Sequence, residues 1–139
     1  MALRTRDHLE NVALFAALTE HQRRALCRGA VTVEAAPGQV LFDEGSEGHE
    51  IVVVLRGSVD VLRGGTRLVT LGSGDAVGEA ALLTQEYRNA RVVAHTRVEI
   101  LCLGESEITA AMAKSPAFAR AIEALHAARV PQPAPPAAS

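Results

Sequence analysis

The sequence predicts a mainly β domain with helices at both ends, and three observations carry that prediction. Between Ala30 and Gly104, short segments rich in β-branched residues recur at roughly 8–12-residue spacing, which suits a sandwich or barrel better than a parallel sheet. Helical spacing and helix start signals lie on either side of that stretch. One Ala/Leu-rich run, "EAALLT" at residues 79–84, interrupts the strands with good helix formers.

In chain order, residues 6–16 read as a short helix, with Leu9, Val12 and Phe15 near helical spacing. Thr19 and Gln22 fit the two ends of a capping box, and Gly29 suits the left-handed position after that second helix. Seven segments then read as strands: "AVTVEA", "QVLFDE", "EIVVVLRG", "SVDVLRG", "RLVTLG", "ARVVAHT" and "RVEILCLG". Gly38, Gly45, Gly57, Gly65 and Gly74 mark turns, and "RGGT" is a two-residue hairpin loop. "ESEITAAMAK" is helical. Ser115 and Pro116 start another helix as N-cap and first residue, with Phe118, Ile122 and Leu125 on one face. "PQPAPPAAS" holds four prolines in nine residues and cannot continue it. The expected organisation is one domain over residues 1–129 and a disordered Pro/Ala-rich tail over 130–139.

Composition narrows the function classes. A chain of 139 residues with 48% hydrophobic content can bury about two-thirds of its unfolded surface without a disulfide or metal staple. Net charge is −2 and Lys114 is the single lysine, so nothing favours a nucleic-acid partner. Cys27 and Cys102 read as reduced thiols, with no Cys/His spacing for zinc. The longest aliphatic run, Ile51 to Leu55, is far too short to span a bilayer. No apolar signal core opens the chain, so a soluble, cytoplasmic protein is expected. The five histidines are scattered. Only His49 and His95 fall in the β region, where a small metal-dependent barrel enzyme of the cupin kind would need converging ligands. No nucleophile-elbow or phosphate-loop signature is present, and no catalysis is expected.

The chemistry concentrates in "GSGDAVGEAALLTQEYRNARV", Gly72 to Val92. Glu79 directly follows a glycine, and Arg88 lies nine positions on. The plain reading is a surface ion pair of about 0–1 kcal/mol. The sharper reading is a sugar-phosphate pocket. Helix-start amides at Ala80 and Ala81 favour an anion, Arg88 offers a planar fork to phosphate, and Glu79 accepts from hydroxyls.

"GDAVGEAALL…YRNARV" resembles the phosphate-binding cassette of the cyclic nucleotide-binding domain found in the catabolite activator protein, the protein kinase A regulatory subunit and cyclic-nucleotide-gated channels. Gly74, Asp75, Gly78, Glu79, Ala81, Leu82, Leu83, Arg88, Ala90 and Val92 fall on matching positions. The likeness extends from about Leu9 to Arg129, including "APGQVLFDEGSEGHEIVVVLRGSVDV".

The resemblance implies an eight-stranded, jelly-roll-like β-roll with helices at both ends. It implies a ligand site of Val77, Gly78, Glu79, Ala80, Ala81, Arg88, Asn89 and Ala90. Glu79 would accept from the ribose 2′-hydroxyl, Gly78 would admit the sugar, the Ala80 and Ala81 amides would hold the cyclic phosphate, and Arg88 would neutralise it. The last helix would close over the purine as a lid when ligand binds, with His126 or Arg129 as base-capping candidates.

Four residues depart from the family pattern: Val77 for Phe, Ala80 for Leu, Tyr87 for Pro and Arg91 for Thr. The side chain of Arg91 either adds charge to the pocket or is solvated. The function so implied is a sensor for cAMP, with cGMP as the other candidate ligand, with no cofactor, that signals to an unidentified effector. The alternatives are a non-binding interaction module of the same fold and the cupin-like enzyme.

Overall fold

A computed structural model describes residues 12–129. Eight strands form two antiparallel four-stranded sheets. The strands are β1 (Val31–Ala35), β2 (Val40–Phe42), β3 (Ile51–Arg56), β4 (Val59–Arg63), β5 (Thr66–Leu71), β6 (Ala76–Val77), β7 (Arg91–Ala94) and β8 (Val98–Leu103). One sheet runs β1-β8-β3-β6 and the other β2-β7-β4-β5. This is the expected β-roll, but its two sheets are hydrogen-bonded separately and no closed barrel forms among the described residues. Four α-helices accompany them: α1 (Glu20–Leu26), α2 (Glu79–Thr84), α3 (Glu105–Lys114) and α4 (Pro116–Arg129).

Local signals behave as their chemistry dictates. The Thr19 hydroxyl accepts from the Gln22 amide, and the Gln22 side chain accepts from the Thr19 amide, completing the capping box. The "RGGT" loop has Gly64 and Gly65 both at positive φ, 57° and 80°, between paired Arg63 and Thr66, as a primed two-residue turn requires. Ser115 Oγ accepts from the Phe118 amide and caps α4.

Two expectations need correction. The helix expected over residues 6–16 is, in its described part, only a 3-10 turn at Ala13–Phe15 that buries Phe15. Its earlier residues, and the tail at 130–139, lie outside the described residues. β6 was not expected. It is two residues long and exists through pairing with Val52 and Val53 of β3.

Two hydrophobic clusters share β3 and β8. Val52, Val54, Val59, Val61, Val92 and Ile100 fill the space between the sheets. Ile51, Val53, Leu101 and Leu103 point the other way, into the helices, where Phe15, Leu26, Ile108, Phe118 and Ile122 meet them. Both faces of β3 are therefore covered, which is why its five aliphatic residues run without alternation.

Two carboxylates on the roll's surface make a pH prediction. The Arg91 fork holds Asp43's carboxyl below its usual value. Burial pushes Asp60 up, but donors from Thr70 and His95, with Arg67 nearby, outweigh it and leave Asp60 low as well. A carboxyl depressed in the fold stabilises above its unfolded value of about 3.9, and that contribution is lost as pH falls through the folded value. The variant Asp43→Asn/Asp60→Asn should therefore unfold at lower urea than wild type at pH 6. The gap should narrow below about pH 4. A gap that stays constant through the acid range would refute the assignment.

Candidate ligand-binding site

Gly78 sits at the start of α2 with φ 105°, in the left-handed region that side chains disfavour. A Cβ there would lie 2.7 Å from Arg88 Nη1 and 2.8 Å from the Glu50 carbonyl oxygen. The glycine is thus required twice, for the turn and for the approach of Arg88.

Arg88 is only 3% exposed. Its backbone is clamped by the loop after β2: Gly45 N donates to Arg88 O at 2.7 Å, and Arg88 N donates to Ser46 O at 2.9 Å. Its guanidinium donates to the carbonyls of Gly78 at 3.2 Å and Glu50 at 3.0 Å. The Phe42 ring packs against it, 4.2 Å from Cζ to the ring centroid, a cation–π contact. The Glu50 carboxylate stands 3.6 Å away and is half exposed. Buried Nε has no hydrogen-bond partner among the described residues. Burial lowers the Arg88 pKa, opposed chiefly by Glu50. The result is a fixed, desolvated cation whose charge is only partly matched by protein.

Glu79 begins α2 and is 4% exposed. Its partners come from the far end of the chain. Arg129 Nη1 donates to Oε1, and His126 Nδ1 stands 3.5 Å from Oε2. The plain surface-pair reading is thereby corrected: both groups are buried, and Glu79 pairs with Arg129 while Arg88 pairs with Glu50.

Val77, Gly78, Glu79, Ala80, Ala81, Arg88, Asn89 and Ala90 all line one cavity of about 620 Å³. That volume is in the usual range for small-molecule sites. The opposite wall is apolar, from Val61, Leu68, Val69 and Leu71. Arg63 adds a second guanidinium, tethered by its Nε to the Asn89 carbonyl at 3.0 Å. His126 and Arg129 close one side. Sequence reasoning missed Phe42, Glu50 and Arg63, because each reaches the site through sheet pairing or loop geometry rather than spacing. Arg91 points outward and donates from Nε and Nη2 to the two Asp43 carboxylate oxygens at 2.8 and 3.1 Å.

The histidines named for a metal barrel do not converge. His49 pairs with Glu105 at 2.6 Å, and His95 pairs with Asp60 at 2.9 Å. Among the described residues no three His, Cys, Asp or Glu side chains group to hold a metal. Burial pushes the Cys102 thiol pKa up. No described helix is long and apolar enough to cross a membrane.

A two-sheet roll thus carries a glycine-started helix, a buried carboxylate and a buried guanidinium on one cavity of small-molecule size. The family model described as the cyclic nucleotide-binding domain matches residues 32–115, and the chain belongs to that family. It is 32% identical over 100 residues to a cAMP-dependent protein kinase regulatory subunit of Hypocrea atroviridis, covering 72% of this chain and 22% of that one. It is also 32% identical over 103 residues to a cGMP-dependent protein kinase of Eimeria tenella, covering 74% of this chain and 10% of that one. Among solved structures, it resembles the regulatory subunit of a cAMP-independent protein kinase A from Trypanosoma brucei. That match has a TM-score of 0.75 at 26% identity and covers 88% of this chain and 43% of the other. The chain thus spans less than a quarter of the length of these curated relatives.

Proposed function

We propose that this chain is a cyclic nucleotide sensor without catalysis of its own, with cAMP as its ligand and binding read out through α4. The observation that carries the reading is Arg88, a buried and incompletely matched guanidinium in a cavity that also holds a carboxylate and an apolar wall. A cyclic phosphodiester supplies the missing negative charge, and its purine suits the apolar wall. Gly78, Val77 and Ala90 shape the floor. The Ala80 and Ala81 amides face the phosphate, Asn89 flanks it, and Glu79 faces the sugar. Relatives named for both cAMP and cGMP support the ligand class.

The domain extends beyond the family match to Arg129. Phe118 and Ile122 are buried in the same core as β3 and β8, which supports that boundary. A helix that shares the core and also touches the cavity can pass occupancy to an effector, as a population shift between its positions.

A non-binding module of the same fold is the second reading. It is favoured by the prior engagement of Glu79 with Arg129 and by the likeness to a cAMP-independent relative. Calorimetric titration with cAMP and cGMP, beside Arg88→Ala, separates the two. Wild type should bind, and the variant should lose about 2–5 kcal/mol, as stripping one partner from a buried charge pair does. Binding of neither nucleotide by wild type at millimolar concentration would establish the second reading.

A further inference from the structure

Arg63 is the last residue of β4, and the strand's period of two puts it on the side of Val59 and Val61, which face the interior. Val61 and Arg63 both line the cavity, so a charge continues a row that begins with two valines. The neighbouring strand bulges at the same level. Val61 pairs with Val69 and Leu62 with Arg67, which leaves Leu68 as the extra residue, and Leu68 and Val69 both reach the cavity.

Of the three guanidiniums on the cavity, Arg88 meets Glu50 and Arg129 meets Glu79. Arg63 has no carboxylate within ion-pair distance among the described residues. Glu44 accepts from the adjacent Gly64 amide at 3.0 Å. The described partner of Arg63 is the Asn89 carbonyl, which takes its Nε at 3.0 Å. Nη1 and Nη2, the outer fork, are left as donors. The tether also decides where that fork stands. Asn89 directly follows Arg88, so Arg63 is held against the segment that carries the buried cation. Arg88 directs its terminal nitrogens at the carbonyls of Gly78 and Glu50 and acts as a fixed charge. Two cations on one cavity repel each other, and an anion placed between them is attracted to both.

We propose that Arg63 is a second phosphate-binding residue, donating from its outer fork to an exocyclic oxygen of the nucleotide phosphate while Arg88 supplies the fixed charge. The inference rests on the reading of the cavity as a nucleotide site. It has a consequence for ligand choice: a contact to the phosphate strengthens cAMP and cGMP alike and contributes nothing to the choice of base.

The test is titration of wild type, Arg63→Lys and Arg63→Gln with cAMP and with cGMP, at about 50 and about 500 mM salt. Arg63 is half-buried at the end of its strand, so all three proteins should fold. Arg63→Gln should lose about tenfold in affinity for each nucleotide that wild type binds, the scale of one charge-assisted hydrogen bond. That loss should shrink at the higher salt, where the charge is screened. Arg63→Lys keeps the charge and should stay within about threefold of wild type. Three results overturn the phosphate contact and leave the nucleotide site standing. A loss under about threefold in Arg63→Gln removes the contact altogether. A loss more than about threefold larger for one nucleotide places Arg63 on the base. A salt-independent loss that Arg63→Lys shares confines Arg63 to holding Asn89 in place. Binding of neither nucleotide by wild type at millimolar concentration overturns the nucleotide reading, and the phosphate contact falls with it.

Discussion

Gly78→Ala is expected to cost about 2–4 kcal/mol of stability and to abolish tight nucleotide binding together. The backbone at φ 105° strains any residue with a Cβ, on the order of 1–3 kcal/mol. The added atom then meets two groups that are not free to yield. Arg88 Nη1, 2.7 Å away, is packed against Phe42 and clamped through its backbone, and the Glu50 carbonyl, 2.8 Å away, belongs to the residue that leads into β3. Relief requires Arg88 to swing out of its buried position or α2 to shift, and either movement dismantles the proposed anion site. Urea denaturation and titration with cAMP should therefore report coupled losses. A variant within 1 kcal/mol of wild type that still binds would show that the close approach at Gly78 has no structural role.

Phe118→Ala is expected to be the most destabilising single truncation, by about 3–5 kcal/mol. The ring is fully buried in the helix-side cluster, tilted at 34° against Phe15 with centroids 5.6 Å apart. It joins three elements that are distant in sequence: the 3-10 turn, α4 and, through the cluster, the outer face of β3. Its removal leaves a cavity that the surrounding β-strands, fixed by two-sided packing, cannot collapse to fill. Because Phe118 anchors α4, the variant should also show faster exchange at the helix's last turn. A loss below 1 kcal/mol in urea denaturation would mean that α4 is docked by other contacts.

The strands were legible wherever one face meets water, because alternation then writes itself into the sequence, as in "SVDVL" over β4. They were legible in β3 for the opposite reason, since a strand covered on both faces becomes a plain valine run. β6 left no such trace. Two residues have no period, and only the partners Val52 and Val53 make them a strand.

The cassette was legible because Gly78, Glu79 and Arg88 lie within one short segment. The groups that position Arg88 were not. Phe42 and Glu50 come from strands and loops 46 and 38 residues away in the chain. His126 and Arg129 share a helix face by their spacing of three, which the sequence states plainly. Their meeting with Glu79 is decided by where α4 docks.

That docking gives α4 the mechanics of a lever. Its fulcrum is the pair Phe118 and Ile122, sunk in the core, and its tip is Arg129. Arg129 lies seven helical steps beyond Ile122, which at 1.5 Å each is an arm of about 10 Å. A rocking of about 20° at the fulcrum carries the tip about 4 Å, enough to break an ion pair while hardly disturbing the buried end. If ligand at the cavity moves α4, as proposed above, the displacement at its tip is large enough for another protein surface to feel.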